Sequence, residues 1–282
     1  MIKFLLLTFL TPALWAQAQR DSISFSYLDD FRSAKMGQSF DFMAGAPPIT
    51  LSEQTKIFPS ISLRNTELDD FWGKSAYFSK SSLGAVVRYG INEHWRLSLI
   101  NSVSSKGAGA KAFNFSRKVY LNGVYLANYC PKGADRYCYS FGVVWNNGSS
   151  FSPAIPVFGF RYMSEDKRLS FNLSFPNSNI VYYMSKKAEV GFQVEYSVDM
   201  YELPVDNSFL YNSQSHYFEM ARLLMGPFLN FGLTENIFIN FNSGISLMNK
   251  KQFNDRKGNS IEASRVYKQT AWYLKTGIGL RF

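Results

Sequence analysis

The stretch from Gln269 to Phe282, QTAWYLKTGIGLRF, limits the possible folds more than any other part of the chain. Read as a strand, in which successive side chains point to opposite faces, it separates into two chemically distinct sets. Trp272, Leu274, Ile278, Leu280 and Phe282 share one face, interrupted only by Thr276, while Tyr273, Lys275, Gly277, Gly279 and Arg281 share the other. A strand this regular suits hydrocarbon on one side and water or packed polar groups on the other. Roughly ten residues are enough for a tilted strand to cross a bilayer.

The same alternation recurs upstream. Leu83, Ala85, Val87 and Tyr89 oppose Gly84, Val86 and Arg88; Leu169, Phe171, Leu173 and Phe175 oppose Arg168, Ser170, Asn172 and Ser174. Val190, Phe192, Val194, Tyr196 and Val198 oppose Glu189, Gly191, Gln193, Glu195 and Ser197. Tyr217 to Leu233 reads as one long strand, because period two continues past Pro227. Four short polar turns, in YGINEHWRL, YMSEDKRLSF, MSKKAEVGF and GLTENIFI, join successive strands, and assigning them to the periplasm puts both ends of the mature chain there. Glu67 to Ser81, the glycine-rich segment around Gly107 to Ala110, Met200 to Ser215 and Asn249 to Lys268 read as loops. The count predicts one all-β domain: an antiparallel, up-and-down transmembrane β-barrel of about fourteen strands. The alternative has twelve, with the first two forming a plug or arm.

Alternation averages polar and apolar residues, so a mean hydropathy of -0.15 is compatible with membrane insertion. Aromatic residues make up 17% of the chain, with 26 Phe and 17 Tyr, as interfacial aromatic girdles require. The ending of the chain, with apolar residues at alternate positions and a final Phe, resembles the C-terminal assembly signal of bacterial outer-membrane β-barrels. The whole pattern is similar to the uncharacterised, domain-of-unknown-function barrel families of Gram-negative bacteria. That resemblance implies location and fold rather than substrate, with Ile278, Leu280 and Phe282 read by the barrel-insertion machinery.

The N-terminus agrees with export. Lys3 precedes an apolar run from Phe4 to Ala16, and Ala16-Gln17-Ala18 is a small-x-small cleavage site, so 1–18 is expected to be a cleaved signal peptide and 19–282 the barrel. The formal charge of +9 becomes +8 when Lys3 is removed, which suits anionic lipid head groups or lipopolysaccharide. The basic residues of Asn249–Lys268 are expected to meet phosphates of the outer leaflet, and nucleic acid is excluded as a partner by export.

Chemistry is expected on the polar faces of the strands. Arg88, Arg96, Arg161, Arg168, Arg222 and Lys275 are the basic candidates for the lumen, and Glu189, Glu195 and Asp199 the acidic ones. An excess of basic groups would favour a small anionic solute, making the protein a pore or small-solute transporter. Pairing of the same groups would instead fill the lumen, leaving a non-conducting structural or adhesive barrel that works through its extracellular loops. An outer-membrane lipid hydrolase is the remaining reading. His94 and His216 are the chain's two histidines, and Ser215-His216 lacks the motifs of barrel lipases, so no enzyme activity, catalytic residue, cofactor or metal is assigned. Cys130 and Cys138 can form a disulfide in an exported protein.

Overall fold

The computed structural model describes residues 22–30, 38–71, 74–109, 111–116, 118–131, 136–146, 154–174, 177–203, 216–255, 261 and 270–281. The expected signal peptide and Phe282 lie outside them. The described residues form β1 (Ser22–Asp30), β2 (Gln38–Gly45), β3 (Ile49–Thr50), β4 (Thr55–Phe71), β5 (Lys74–Gly90), β6 (Trp95–Gly109), β7 (Tyr120–Tyr129) and β8 (Tyr137–Asn146). They continue as β9 (Ile155–Met163), β10 (Leu169–Ser174), β11 (Asn177–Tyr183), β12 (Ala188–Glu202), β13 (Tyr217–Gly232), β14 (Ile237–Asn254) and β15 (Ala271–Arg281).

Each strand pairs antiparallel with its sequence neighbour, apart from the two-residue β3, which only borders β4. β1 pairs with β15, and β2 with β4, so the sheet closes on itself. Fifteen strands less β3 leaves a barrel of fourteen. Closure removes every sheet edge, which is the condition for a sheet to sit in hydrocarbon.

The two faces separate as the sequence pattern predicts. Phe25, Phe141, Phe158, Leu173, Phe192, Phe241, Trp272 and Ile278 are exposed on the outside. Their partners in parity point inward. An apolar exterior around an even, closed, antiparallel ring is the anatomy of an outer-membrane transmembrane barrel. The turns at 91–94, 164–168, 184–187 and 233–236 lie at the end where β1 starts and β15 finishes, which this class places in the periplasm.

Interior volume is adjusted with glycine. A Cβ on Gly191 would lie 2.6 Å from the Phe228 ring, and one on Gly279 would lie 2.1 Å from the Phe238 ring. Each of these inward phenyl rings therefore occupies space that a side chain on the neighbouring strand would take. Pro227 is tolerated in β13 because the ladder to β14 is interrupted there, passing from Met225–Ile245 to Phe228–Asn242.

Strand length departs most from the sequence reading. Within Glu67 to Ser81, expected as a loop, residues 67–71 end β4 and residues 74–81 begin β5, each strand being 17 residues long. β6 continues through Gly109, and β14 runs to Asn254, into the segment expected to be a charged loop. Roughly ten residues cross the membrane, so these strands extend well above it on the outer side. By contrast β9, β10 and β11 have 9, 6 and 7 residues. Polar side chains on the outer face at this height, such as Asn65 and Ser79, which hydrogen-bond each other at 2.9 Å, obscured the alternation.

Candidate functional site

Among the described residues, β7 to β11 are shorter than β6 and β12, which flank them. The two walls bend together and pair in parallel at Gly107 and Glu202. Loop residues secure the contact: Ser116 donates a hydrogen bond to Glu202, and the Lys118 ammonium lies 2.6 Å from the same carboxylate. The hydrogen bond to Glu202 is the main cause that raises the Lys118 pKa. Gly107 is required at this point, because a Cβ there would lie 2.6 Å from the Asn114 carbonyl oxygen.

Beneath this contact the inward faces of β4, β5 and β6 meet those of β12, β13 and β14. Leu68, Phe78, Ala108, Tyr201, Phe218 and Phe253 belong to one buried cluster. The rings of Phe78 and Phe218 stack at 4.8 Å, and Tyr201 meets Phe78 edge-on at 5.3 Å. Burial of such rings is the largest apolar contribution available to an interior this size.

A layer of charge lies below the aromatic one. Asp199, on β12, is buried and receives Lys80 Nζ at 2.9 Å and Arg64 Nη1 at 3.2 Å, with Lys106 Nζ at 3.9 Å. Arg64 also donates to both oxygens of Asp41, at 2.5 and 3.2 Å. Glu195, two positions from Ser197 and four from Asp199 on the same face, pairs with Lys275 at 3.5 Å. Arg222 reaches Ser39 Oγ at 3.5 Å. The space left between Asp41, Arg64, Glu195, Arg222 and Lys275 is a cavity of about 30 Å³, room for a water or two.

The expected lumen residues thus divide into separate groups. Arg222, Lys275, Glu195 and Asp199 come together in the charged layer. Glu189 lies nearer the periplasm and accepts a hydrogen bond of 2.5 Å from Asn230. Arg88, Arg96 and Arg161 sit near the periplasmic ends of β5, β6 and β9. Arg168 is displaced from the wall expected of it. It is exposed in the turn before β10, where its amide donates to Asp166 at 3.1 Å. The Ser164 hydroxyl and then that amide hold the Asp166 carboxyl below its usual range. Lys80 and Lys106 are absent from the sequence-derived set: Lys80 falls in a stretch read as loop, and Lys106 lies between the strand read as far as Val103 and the loop read from Gly107 to Ala110. Their signal was parity alone, since Ala76, Phe78, Lys80 and Ser82 share one face of β5.

Cys130 and Cys138 are bridged, with Cα atoms 4.2 Å apart, closing the turn between β7 and β8. His94 Nδ1 lies 3.3 Å from the Cys130 carbonyl oxygen, and Arg161 Nη2 lies 3.8 Å from Cys138 Sγ. Ile278 and Leu280 are exposed on the outer face of β15.

The family described as "Domain of unknown function (DUF6268)" matches residues 76–281. A search of curated proteins finds no match. Among solved structures, the chain is similar to a KdgM porin, at 11% identity and a TM-score of 0.39 over 93% of this chain and 99% of that one. It is also similar to LpxR from Salmonella typhimurium, at 7% identity and a TM-score of 0.42 over 93% and 100%. The translocator domain of the autotransporter NalP from Neisseria meningitidis gives 10%, 0.43, 93% and 87% in the same terms.

Proposed function

The chain belongs to the DUF6268 family, and from that premise we propose a closed outer-membrane barrel that conducts no solute in this conformation and acts through the extracellular extension of its long strands. The observation that carries this reading is the meeting of opposite walls at Gly107 and Glu202, above a buried aromatic layer and an ion-paired one. A solute moving along the axis would have to push β6 away from β12, unstack Phe78 from Phe218 and pull Asp199 from three cations. No catalytic role is included in this proposal. The partners it takes are outer-membrane lipids and lipopolysaccharide around the apolar wall, with surface ligands at the extracellular end.

A second reading, a pore for small anionic solutes that opens when β6 and β12 separate, is favoured by the arginines at the periplasmic mouth. Single-channel recording of the refolded protein in planar bilayers distinguishes the two. The closed barrel gives a silent membrane at moderate voltage. Stable, reproducible conductance steps from the unmodified chain would overturn it in favour of the pore.

A further inference from the structure

Among the described residues, each carboxylate of the charged layer has a nearest cation, and one guanidinium is left over. Arg64 holds Asp41, Lys80 holds Asp199 at 2.9 Å, and Lys275 holds Glu195 at 3.5 Å. Lys106, 3.9 Å from Asp199, adds a cation to the layer without a further carboxylate. Arg222 enters the same layer from β13, paired across the ladder with Ser197 on β12. Its polar contact among the described residues is the neutral Ser39 hydroxyl, at 3.5 Å. Glu219, the buried carboxylate nearest to it along β13, has the opposite parity and accepts from Asn254 Nδ2 at 3.0 Å.

A cation without a counter-charge is costly in an interior that excludes water, and a bound anion relieves it. The cavity of about 30 Å³ in this layer is lined by Arg222, and also by Ser197 and Tyr201 of β12. Tyr201 is fully buried, its ring edge-on to Phe78. Its hydroxyl has no hydrogen-bond partner among the described residues. That hydroxyl lies within electrostatic reach of Arg222 and Arg64, as well as of Asp199 and Asp41. A buried hydroxyl without an acceptor keeps a hydrogen to donate, and leaving it unused carries the full cost of its desolvation. One cavity therefore brings together an unmatched guanidinium and an unused hydroxyl donor, in a space sized for a monoatomic ion or for a water or two.

We propose that this cavity binds a single halide ion, chloride in the first instance, held by Arg222 and the Tyr201 hydroxyl as a structural counter-ion of the barrel. Phosphate, sulfate and carboxylate compounds are too large for the volume. A metal cation would face Arg64, Arg222 and Lys275 across the cavity, with the neighbouring carboxylates already engaged. Arg64 and Lys275 keep 24% and 20% of their side-chain surface exposed, so the ion can exchange with water after folding. The inference goes beyond the closed-barrel reading and is tested by unfolding, so conductance in planar bilayers neither supports nor removes it.

The experiment is thermal unfolding of the refolded full chain in non-ionic detergent, with sodium gluconate replaced stepwise by sodium chloride at constant ionic strength. Holding ionic strength fixed removes general screening, so what remains is binding to the folded state. The unfolding temperature should rise with chloride and then level off, and bromide should act in the same way. Tyr201→Phe keeps the ring and removes the donor, so the chloride concentration needed for half the effect should rise about ten-fold. Arg222→Gln should abolish the chloride effect; if it does not fold, Tyr201→Phe carries the test alone. Arg168→Gln, in the exposed turn, should respond to chloride as the wild type does. Equal unfolding temperatures in gluconate and chloride overturn the proposal and leave the cavity to water. A wild-type chloride response in Tyr201→Phe and Arg222→Gln also overturns it, because the ion would then act elsewhere.

Discussion

The Lys80 ammonium on β5 lies 2.9 Å from the buried Asp199 carboxylate on β12, so a strand from each of two opposite walls is tied through one carboxylate. Arg64 and Lys106 approach the same group. Removing one partner from a buried ionic group is costlier than never having built it, because the remaining charges lose their counter-charge without regaining water. Asp199→Asn is therefore expected to destabilise the barrel by about 3–5 kcal/mol. The unboiled, fast-migrating gel band should convert to the unfolded form at a clearly lower temperature than in the wild type. An unchanged conversion temperature would mean that the three cations are held by something other than Asp199.

The disulfide gives a second stability prediction. Cys130 and Cys138 are eight residues apart, and in the chain-entropy treatment a loop that short is stabilised by about 2–3 kcal/mol. The doubly substituted Cys130→Ser, Cys138→Ser protein should insert into the membrane and lose heat resistance by that amount. Reductant should reproduce the loss in the wild type and have no effect on the double variant. A wild type indifferent to reductant under unfolding conditions would remove the bridge from the stability account.

How much of this was legible in the chain follows from where alternation meets a uniform environment. Within the hydrocarbon, outward residues are predominantly apolar, so strands such as β12 and β15 show themselves in sequence, and the count of fourteen and the long β13 across Pro227 follow. Above the membrane both faces of β4 and β5 meet mixed surroundings. The outward residues there are Asn65, Glu67, Ser79 and Ser81, and polar residues on that face make a strand look like a loop. Lys80 was hidden for this reason. The pairing of Asp199 with three cations was hidden for another. It depends on β6 and β12 approaching over short strands, a long-range relationship that no local periodicity encodes. Arg168 shows the limit of parity itself, since it has the parity of the inward face but lies one residue outside β10, in the turn.

Aromatic stacking above the charged layer gives a third prediction. Phe78 and Phe218 stack at 4.8 Å in a cluster with Tyr201 and Phe253. Truncating either ring to alanine should cost about 3–5 kcal/mol, the range for large-to-small changes in a packed core. The double variant should cost less than the sum of the two, because each ring loses the same partner. Strict additivity in thermal unfolding would argue that the rings contribute through separate contacts.

The last prediction separates insertion from stability using two residues of the terminal stretch. In the sequence, Phe282 continues the alternation of Ile278 and Leu280, and its proposed reader is the barrel-insertion machinery. Lys275 faces inward on β15, 3.5 Å from the buried Glu195. Phe282 has the parity of the outward face, so its deletion is expected to remove a recognition group and leave the interior contacts intact. It should lower the amount of protein reaching the outer membrane, and the molecules that do arrive should unfold at the wild-type temperature. Lys275→Ala keeps the apolar face intact and strands Glu195, so normal membrane levels are expected with a loss of about 3 kcal/mol in stability. Pulse labelling followed by membrane fractionation reads the first quantity, and the temperature at which the folded band disappears reads the second. If Phe282 deletion and Lys275→Ala altered both quantities alike, the terminal residue would be acting as one more structural contact of the last strand and the recognition role would be lost.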